Sequence, residues 1–305
     1  MFIDNENINL AEYSDYSVIR NKVEEKSAFK NDVLQYFEDR KHGILGDKLP
    51  WQSTHQKVSF RKKEVTVFAG SNGSGKSLIL GQMALDFVEN GAKVLVASLE
   101  MPPVTTLARM TRQAVGQNFP TESQVDSFMN WKLDKFYLYN HVGNLDTWQV
   151  IALCRYAALE LECNHIIIDS LMKCTRGETD YDSQKDFMNA LCEVAKEVDI
   201  HIFLVHHVRK SNDENHEVNK FDLKGSGSIS DLADNVILIH RNRKKERETY
   251  ENGGVADNTI PDSALIMSKA RNNDWEGVIP LFFEKRSQQF MEQPFDLPKR
   301  YMGEV

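Results

Sequence analysis

The residues Gly70-Ser71-Asn72-Gly73-Ser74-Gly75-Lys76-Ser77 put glycines, an amine and a hydroxyl into one short run. Glycines at positions 70, 73 and 75 let the backbone bend tightly and approach an anion with no Cβ in the way. The loop N–H groups and the start of a following helix then form an anion site. Lys76 would reach the outer phosphates of a nucleotide, and the Ser77 hydroxyl would ligate Mg²⁺. The apolar run Val65-Thr66-Val67-Phe68-Ala69 comes before the loop, and an apolar-rich stretch, Leu78 to Val88, comes after it. That is the strand–loop–helix setting a P-loop requires, and it is what separates this run from a glycine-rich turn matching by chance.

Other side chains gain meaning beside that loop. Asp169 ends an Ile-Ile-Ile run. A carboxylate at the end of a buried strand next to a P-loop is placed to hold Mg²⁺, directly or through water. Glu100 also ends an apolar stretch, and ligands gather at the carboxyl ends of parallel strands. It could polarise the water that attacks a γ-phosphate, or it could simply be an acid leading into the next helix. His206 and His207 close another strand, and successive strand residues point to opposite faces. Only one of them can therefore look at the nucleotide. Lys269 and Arg271 are two apart at a strand end, so they point the same way. A solvated basic strand end explains them. So does an arginine donated across a subunit boundary to stabilise charge on a transferring phosphoryl group. The polar segment around Arg209, Lys210 and Lys224 is balanced in charge, which suits a mobile loop with a few phosphate contacts more than a basic patch.

These residues need strands and helices to hold them. Strands are expected at residues 93–100, 136–139, 165–169, 201–207, 235–240, 264–269 and 278–283. Helices are expected at 104–115, 147–161 and 184–198, with residues 116–135 largely loop. Strand alternating with helix implies a parallel sheet covered on both faces. The late strands, with few helices between them, suggest an antiparallel-leaning edge. Before the domain, Phe29, Val33 and Phe37 recur every four residues with Leu34 beside them, a narrow apolar stripe on a helix. That helix packs on its own domain or docks on a neighbouring subunit; the residues alone leave both open. The organisation read from this is an arm and linker helix over 1–45, an ATPase domain over 46–292 and a tail over 293–305.

Composition sets outer limits. The chain has 305 residues, 41% hydrophobic and 27% charged, which is a globular composition. No apolar run reaches the ~20 residues of a membrane span, and residues 1–10 do not read as a secretory signal. Cys154, Cys163, Cys174 and Cys192 show no metal-ligand spacing, so reduced thiols in a cytoplasm are expected. A net charge of −8 excludes a protein whose whole surface binds nucleic acid, but not binding confined to a few loops.

Taken in order, the motifs resemble the RecA-like motor of the DnaB-type ring helicases, above all phage primase-helicase and Twinkle-like members. Ser98-Leu99-Glu100-Met101-Pro102 is similar to the stretch carrying that family's catalytic base. Gly177-Glu178-Thr179-Asp180 comes after the Asp169 strand as in the phage enzymes. Asp222-Leu223-Lys224-Gly225-Ser226-Gly227 resembles their DNA loop, Ala233-Asp234-Asn235-Val236 is Twinkle-like, and Lys269-Ala270-Arg271-Asn272 is similar to the lysine and arginine finger pair. The resemblance implies an α/β, RecA-like P-loop NTPase core with a mostly parallel twisted sheet and an N-terminal helical arm. It implies ATP or dTTP with Mg²⁺, Glu100 as base, His207 as phosphate sensor, and Lys269 and Arg271 acting on a neighbour's nucleotide. It also implies Arg241 stacking on the base with Phe283 as its aromatic partner, and Arg209, Lys210 and Lys224 on DNA. The expected function is a replicative helicase moving on single-stranded DNA as a homo-hexameric ring. The alternative is a RecA-like recombination scaffold that does not unwind. Residues 1–45 are too few for a primase domain or collar, so a separate primase or polymerase is expected as partner.

Overall fold

The computed structural model describes residues 23–41, 45–175, 177, 180–208, 222–223, 227–251, 253–255, 257–272 and 275–302. The chain divides into two compact units, Met1–Leu45 and Gly46–Val305. In the first, a 3₁₀ turn over Lys26–Phe29 leads into α1, Lys30–Arg40. Phe29, Val33, Leu34 and Phe37 are all exposed, so the apolar stripe read from the sequence lies open along this helix.

In the second unit the buried strands are short apolar runs, as expected where both faces of a sheet are covered. They are β1 (Val65–Gly70), β2 (Val94–Ser98), β4 (His165–Asp169) and β5 (His201–His207), with the shorter, half-buried β3 (Phe136–Leu138) at one edge. β6 (Asn235–Arg241), β7 (Ser263–Ala270), β8 (Gly277–Glu284) and β9 (Gln289–Met291) complete a nine-stranded sheet among the described residues. The strand order is β3-β2-β4-β5-β1-β6-β7-β8-β9, which puts the strand before the glycine loop at the centre.

Alternation along each strand sorts side chains into two cores. Val65, Val67, Ile166, Ile168, Ile202 and Leu204 face one side. There they meet α5 (Thr147–Leu159) and α6 (Tyr181–Glu197). Phe68, Ile167, Phe203 and Val205 face the other. They meet α2 (Lys76–Glu89) and α3 (Pro103–Val115). Phe203 is fully buried, with its ring 4.9 Å from Phe60, 5.7 Å from Phe87 and 6.0 Å from Phe68. Removing such a ring costs about 3–5 kcal/mol, so this aromatic cluster is a main support beneath the loop.

The late strands correct part of the expectation. β6 runs parallel to β1, from Thr66↔Asn235 to Gly70↔Ile239; only β7, β8 and β9 are antiparallel. β6 begins at the starting end of the sheet, just after α7 (Ser228–Leu232). The connections after β7 and β8 are short and only reverse direction. Two further helices lie where the sequence reading expected none. These are α4 (Glu122–Asn130), started by a Thr121 capping box, and α8 (Arg243–Glu251). The last described residues belong to the second unit. Lys299 pairs with Asp86 and Glu89, and the Gln289 amide donates to Lys299 O while its oxygen accepts the Lys299 N–H.

Candidate nucleotide site

β1 delivers the chain to Gly70 at the carboxyl end of the sheet, and α2 begins at Lys76. Two glycines are required by geometry. Gly75 sits at φ +96°, and a Cβ there would stand 2.8 Å from the Phe290 ring. A Cβ on Gly70 would stand 2.5 Å from Ser74 Oγ and 2.8 Å from Ile239 O. The loop is thus wedged between β6, β9 and its own helix, with its N–H groups at the positive end of α2.

Lys76, Ser77, Glu100, Asp169 and His207 all line one cavity of about 880 Å³, with Asn72 to Gly75 at its rim. Lys76 Nζ donates to Gly70 O and Ser71 O, each at 2.9 Å, and lies 3.5 Å from His207 Nδ1. The Ser77 hydroxyl donates to Asp169 Oδ2 at 2.6 Å. Ser170 Oγ donates to Glu100 Oε1 at 2.5 Å, and His207 Nε2 lies 3.5 Å from the same oxygen. His206, one residue back, is fully buried on the opposite face.

The charges in this cavity are under opposing pressures. Burial pushes the Lys76 amine down, against the pull of Asp169 and Glu100. Burial likewise pushes Asp169 up, against the Ser77 hydroxyl. An added anion beside the first and an added cation beside the second would relieve both. Glu100 behaves differently. The His207 imidazole, the Ser170 hydroxyl and the charge of Lys173 outweigh its partial burial and hold it at about 2. It stays ionised at neutral pH, and so low a value makes it a weak base.

The donor set fits a phosphate chain with Mg²⁺. Among the described residues no group of three or more His, Cys, Asp or Glu could hold a metal alone. Ser77 and Asp169 offer two hard oxygens, and Mg²⁺ on a nucleotide takes one or two protein ligands with phosphate and water filling the rest.

On the other side of the loop a second cavity, of about 580 Å³, is lined by Gly73, Arg241, Glu246, Phe283 and Phe290. Arg241 donates from Nη1 to Gly73 O at 2.8 Å and from Nε to Glu246 Oε1 at 2.6 Å. Phe283 packs on Phe290 with centroids 4.9 Å apart. The structure therefore brings Arg241 and Phe283 to one hollow beside the loop.

Lys269 and Arg271 lie elsewhere. Lys269 pairs with Val236 and Arg271 comes just after the strand, at the end of the sheet where β1 begins. Roughly 16 Å of strand, at ~3.3 Å per residue, separates that end from the glycine loop. Lys269 Nζ donates to Ser230 O and Asp231 O, and Arg271 Nη1 to Asp234 Oδ1. Arg209, Lys210 and Lys224 lie outside the described residues.

Two cations in the phosphate-side cavity were missed from sequence. Arg109, whose Nη1 donates to the Met101 sulfur at 3.0 Å, lines it together with Lys173. The signal for Arg109 was present: it is a charged residue on the same helix face as the buried Thr106, Met110 and Gln113. Lys173 carried none.

A mainly parallel sheet whose central strand feeds a glycine loop and a helix defines an α/β P-loop nucleotide-binding domain. The family model for the DnaB-like helicase C terminal domain matches residues 55–292. The chain belongs to that family, the DnaB-like helicase C-terminal domain proteins. A DNA helicase/primase of Enterobacteria phage T3 is 24% identical over 207 residues, 60% of this chain. This chain covers 36% of that relative's length. Among solved structures, an ATPase domain superposes with a TM-score of 0.73 at 16% identity, covering 88% of this chain and 98% of that one. A DnaB-like replicative helicase, described with its interactions with primase, superposes at 0.68 and 16% identity, covering 88% and 67%. At such identities the superpositions speak for the fold. Among the described residues no helix is long and apolar enough to cross a membrane.

Proposed function

We propose that this chain is the motor of a replicative DNA helicase, fuelled by ATP or dTTP, which closes into a homo-hexameric ring on single-stranded DNA and unwinds duplex. One observation carries this reading. Lys76, Ser77, Glu100, Asp169 and His207 meet in one cavity, while Lys269 and Arg271 sit at the far end of the same sheet. A phosphoryl-transfer site gains most from a cation that arrives with the transition state. Arg271 cannot reach its own loop, so it serves the loop of the next subunit. A contact between two different surfaces of identical chains is heterologous, and such contacts close into rings when the rotation allows.

In this scheme the loop N–H groups and Lys76 hold the β- and γ-phosphates. Ser77 and Asp169 would hold Mg²⁺, which would neutralise charge on the phosphate oxygens. Glu100 orients the attacking water and takes its proton. His207, touching both Lys76 and Glu100, senses the γ-phosphate and passes its loss to the segment after β5. That segment contains Arg209, Lys210 and Lys224, the residues assigned to DNA. Arg241 and Phe283 hold the base. The α1 stripe docks on the adjacent subunit. A primase is the expected partner, as for the DnaB-like helicase of the same fold.

Electron microscopy with a non-hydrolysable nucleotide, paired with a forked-duplex unwinding assay, tests the proposal. Closed rings and strand separation are the expected results. Open filaments that bind DNA without unwinding it would overturn it in favour of a recombination scaffold.

A further inference from the structure

Asp234 lies in the stretch Ala233 to Val236 but has no part in the chemistry of the nucleotide cavity. It is almost fully buried, just before β6. Its backbone N–H donates to Val65 O at 2.9 Å, and its Oδ2 accepts the Val65 N–H at 2.9 Å. Its carbonyl accepts the Arg271 N–H at 2.9 Å, and its Oδ1 accepts Arg271 Nη1 at 2.8 Å. One residue thus grips the first residue of β1 through backbone and carboxylate, and grips Arg271 in the same way. The Arg271 side chain remains 44% exposed, so part of its guanidinium faces outward. The mount is stiffened from beside. The Asn272 amide donates to the buried Glu64 at 2.8 Å, and the Asn235 amide bridges Glu64 and Thr66 at 3.1 Å each.

We propose that Asp234 is the positioning residue of the arginine finger, and that through it β1 becomes a rod joining two catalytic sites. The glycine loop of one site is fixed at its carboxyl end, and the finger for the next site is fixed at its amino end. The inference rests on the reading of a site shared between subunits. Its physical basis is preorganisation: a guanidinium held in place before the reaction loses no orientation at the transition state. A carboxylate is required because it has two oxygens, one for each partner. In asparagine one of those two oxygen positions becomes an NH2, a donor facing the donor of Val65 or of Arg271, so one of the two grips is lost.

The test is a double-mutant cycle on the full-length chain with DNA, read by single-turnover ATP hydrolysis and by binding of a fluorescent ATP analogue. Asp234→Asn should lower kcat by about ten- to a hundredfold, the scale of a small misplacement of a catalytic group. Nucleotide affinity should move by less than about twofold, since the loop is untouched. In an Arg271→Ala background Asp234→Asn should have no further effect on the rate, because the group it positions is gone. Multiplied effects in the double variant, a weakened nucleotide affinity, or an unchanged kcat in the single variant would each overturn the proposal. If Asp234→Asn fails to fold, Asp234→Glu keeps both oxygens one methylene out of place and is read by the same criteria. If Arg271→Ala alone hydrolyses normally, the shared-site reading fails instead, and that result is distinct from the others.

Discussion

The two ends of β1 are built for opposite purposes. At the carboxyl end the chain leaves a cavity of about 880 Å³, and functional groups point into it under strain from burial: Lys76 is pushed down and Asp169 up. At the amino end the cations Lys269 and Arg271 already have acceptors, in Ser230 O, Asp231 O and Asp234 Oδ1. The first end is shaped to receive charge. The second holds charge in a fixed place at the surface. In the proposed shared-site scheme each chain gives half of two sites, and an isolated copy should turn over slowly.

The largest effects should come from breaking each end separately. Lys76→Ala and Arg271→Ala should each reduce hydrolysis by about a thousandfold. They should part in a binding assay, with nucleotide affinity lost in the first and kept in the second. Equal loss of affinity in both would put Arg271 in its own chain's site and erase the contrast. Glu100→Gln should lower kcat by about 10²–10³ with KM little changed, the range for losing a general base; steady-state kinetics with DNA present decide this.

Smaller effects sharpen the receiving end. Arg241→Ala should raise the nucleotide KM about tenfold, the weight of a stacked base, with kcat preserved. Glu100 is held at about 2 against an ordinary 4.5, chiefly by His207. Its ionised form therefore contributes stability above about pH 4.5, lost as pH falls towards 2. Hydrolysis should accordingly show no acid limb near pH 4.5. In His207→Gln the Glu100 value rises and such a limb should appear in the pH–rate profile.

The amino end predicts a pH effect on stability alone. Burial, reinforced by the charge of His165, pushes His201 down to about 3 from an ordinary 6.5. The folded chain keeps it neutral while the unfolded chain protonates it. Its contribution is complete above about pH 6.5 and falls as pH drops towards 3. Between pH 7 and pH 5 this amounts to about 2 kcal/mol. Thermal melts of His201→Gln should lack that part of the slope, and hydrolysis at neutral pH should stay within about twofold of the parent if the two ends act as separately as the structure suggests.

The residues that make the receiving end were legible in the chain, because each requirement is local. A turn next to phosphate needs glycine, a buried parallel strand needs a short apolar run, and a carboxylate placed where that run stops marks the carboxyl edge. Hence Gly70 to Ser77 and Asp169 could be named from neighbours in sequence, while the role of Glu100 and the choice of His207 over His206 came only with the family resemblance. The direction of β6 could not, since nothing in Asn235 to His240 records which end of the sheet the preceding segment returns to. Helix α8 was hidden for a different reason: it is short and polar and carries no apolar period, whereas α4 had local signals in the Thr121–Gln124 capping box and in Val125, Phe128 and Met129 at helical spacing. Lys173 entered the cavity by the packing of the turn after β4, which sequence spacing does not encode, whereas Arg109 shares a helical face with Thr106, Met110 and Gln113 and was legible in the spacing.

By itself the sequence determined the loop, the strand that carries it and the chemistry of each side chain, since these depend on residue type and immediate neighbours. Only the tertiary structure decided that Lys269 and Arg271 stand at the opposite end of the sheet from Lys76, and that Asp234 ties that end to β1. Those facts depend on strand register between Thr66 and Asn235 and between Val236 and Lys269, and register is set by the side chains packed across the sheet, not by neighbours along the chain.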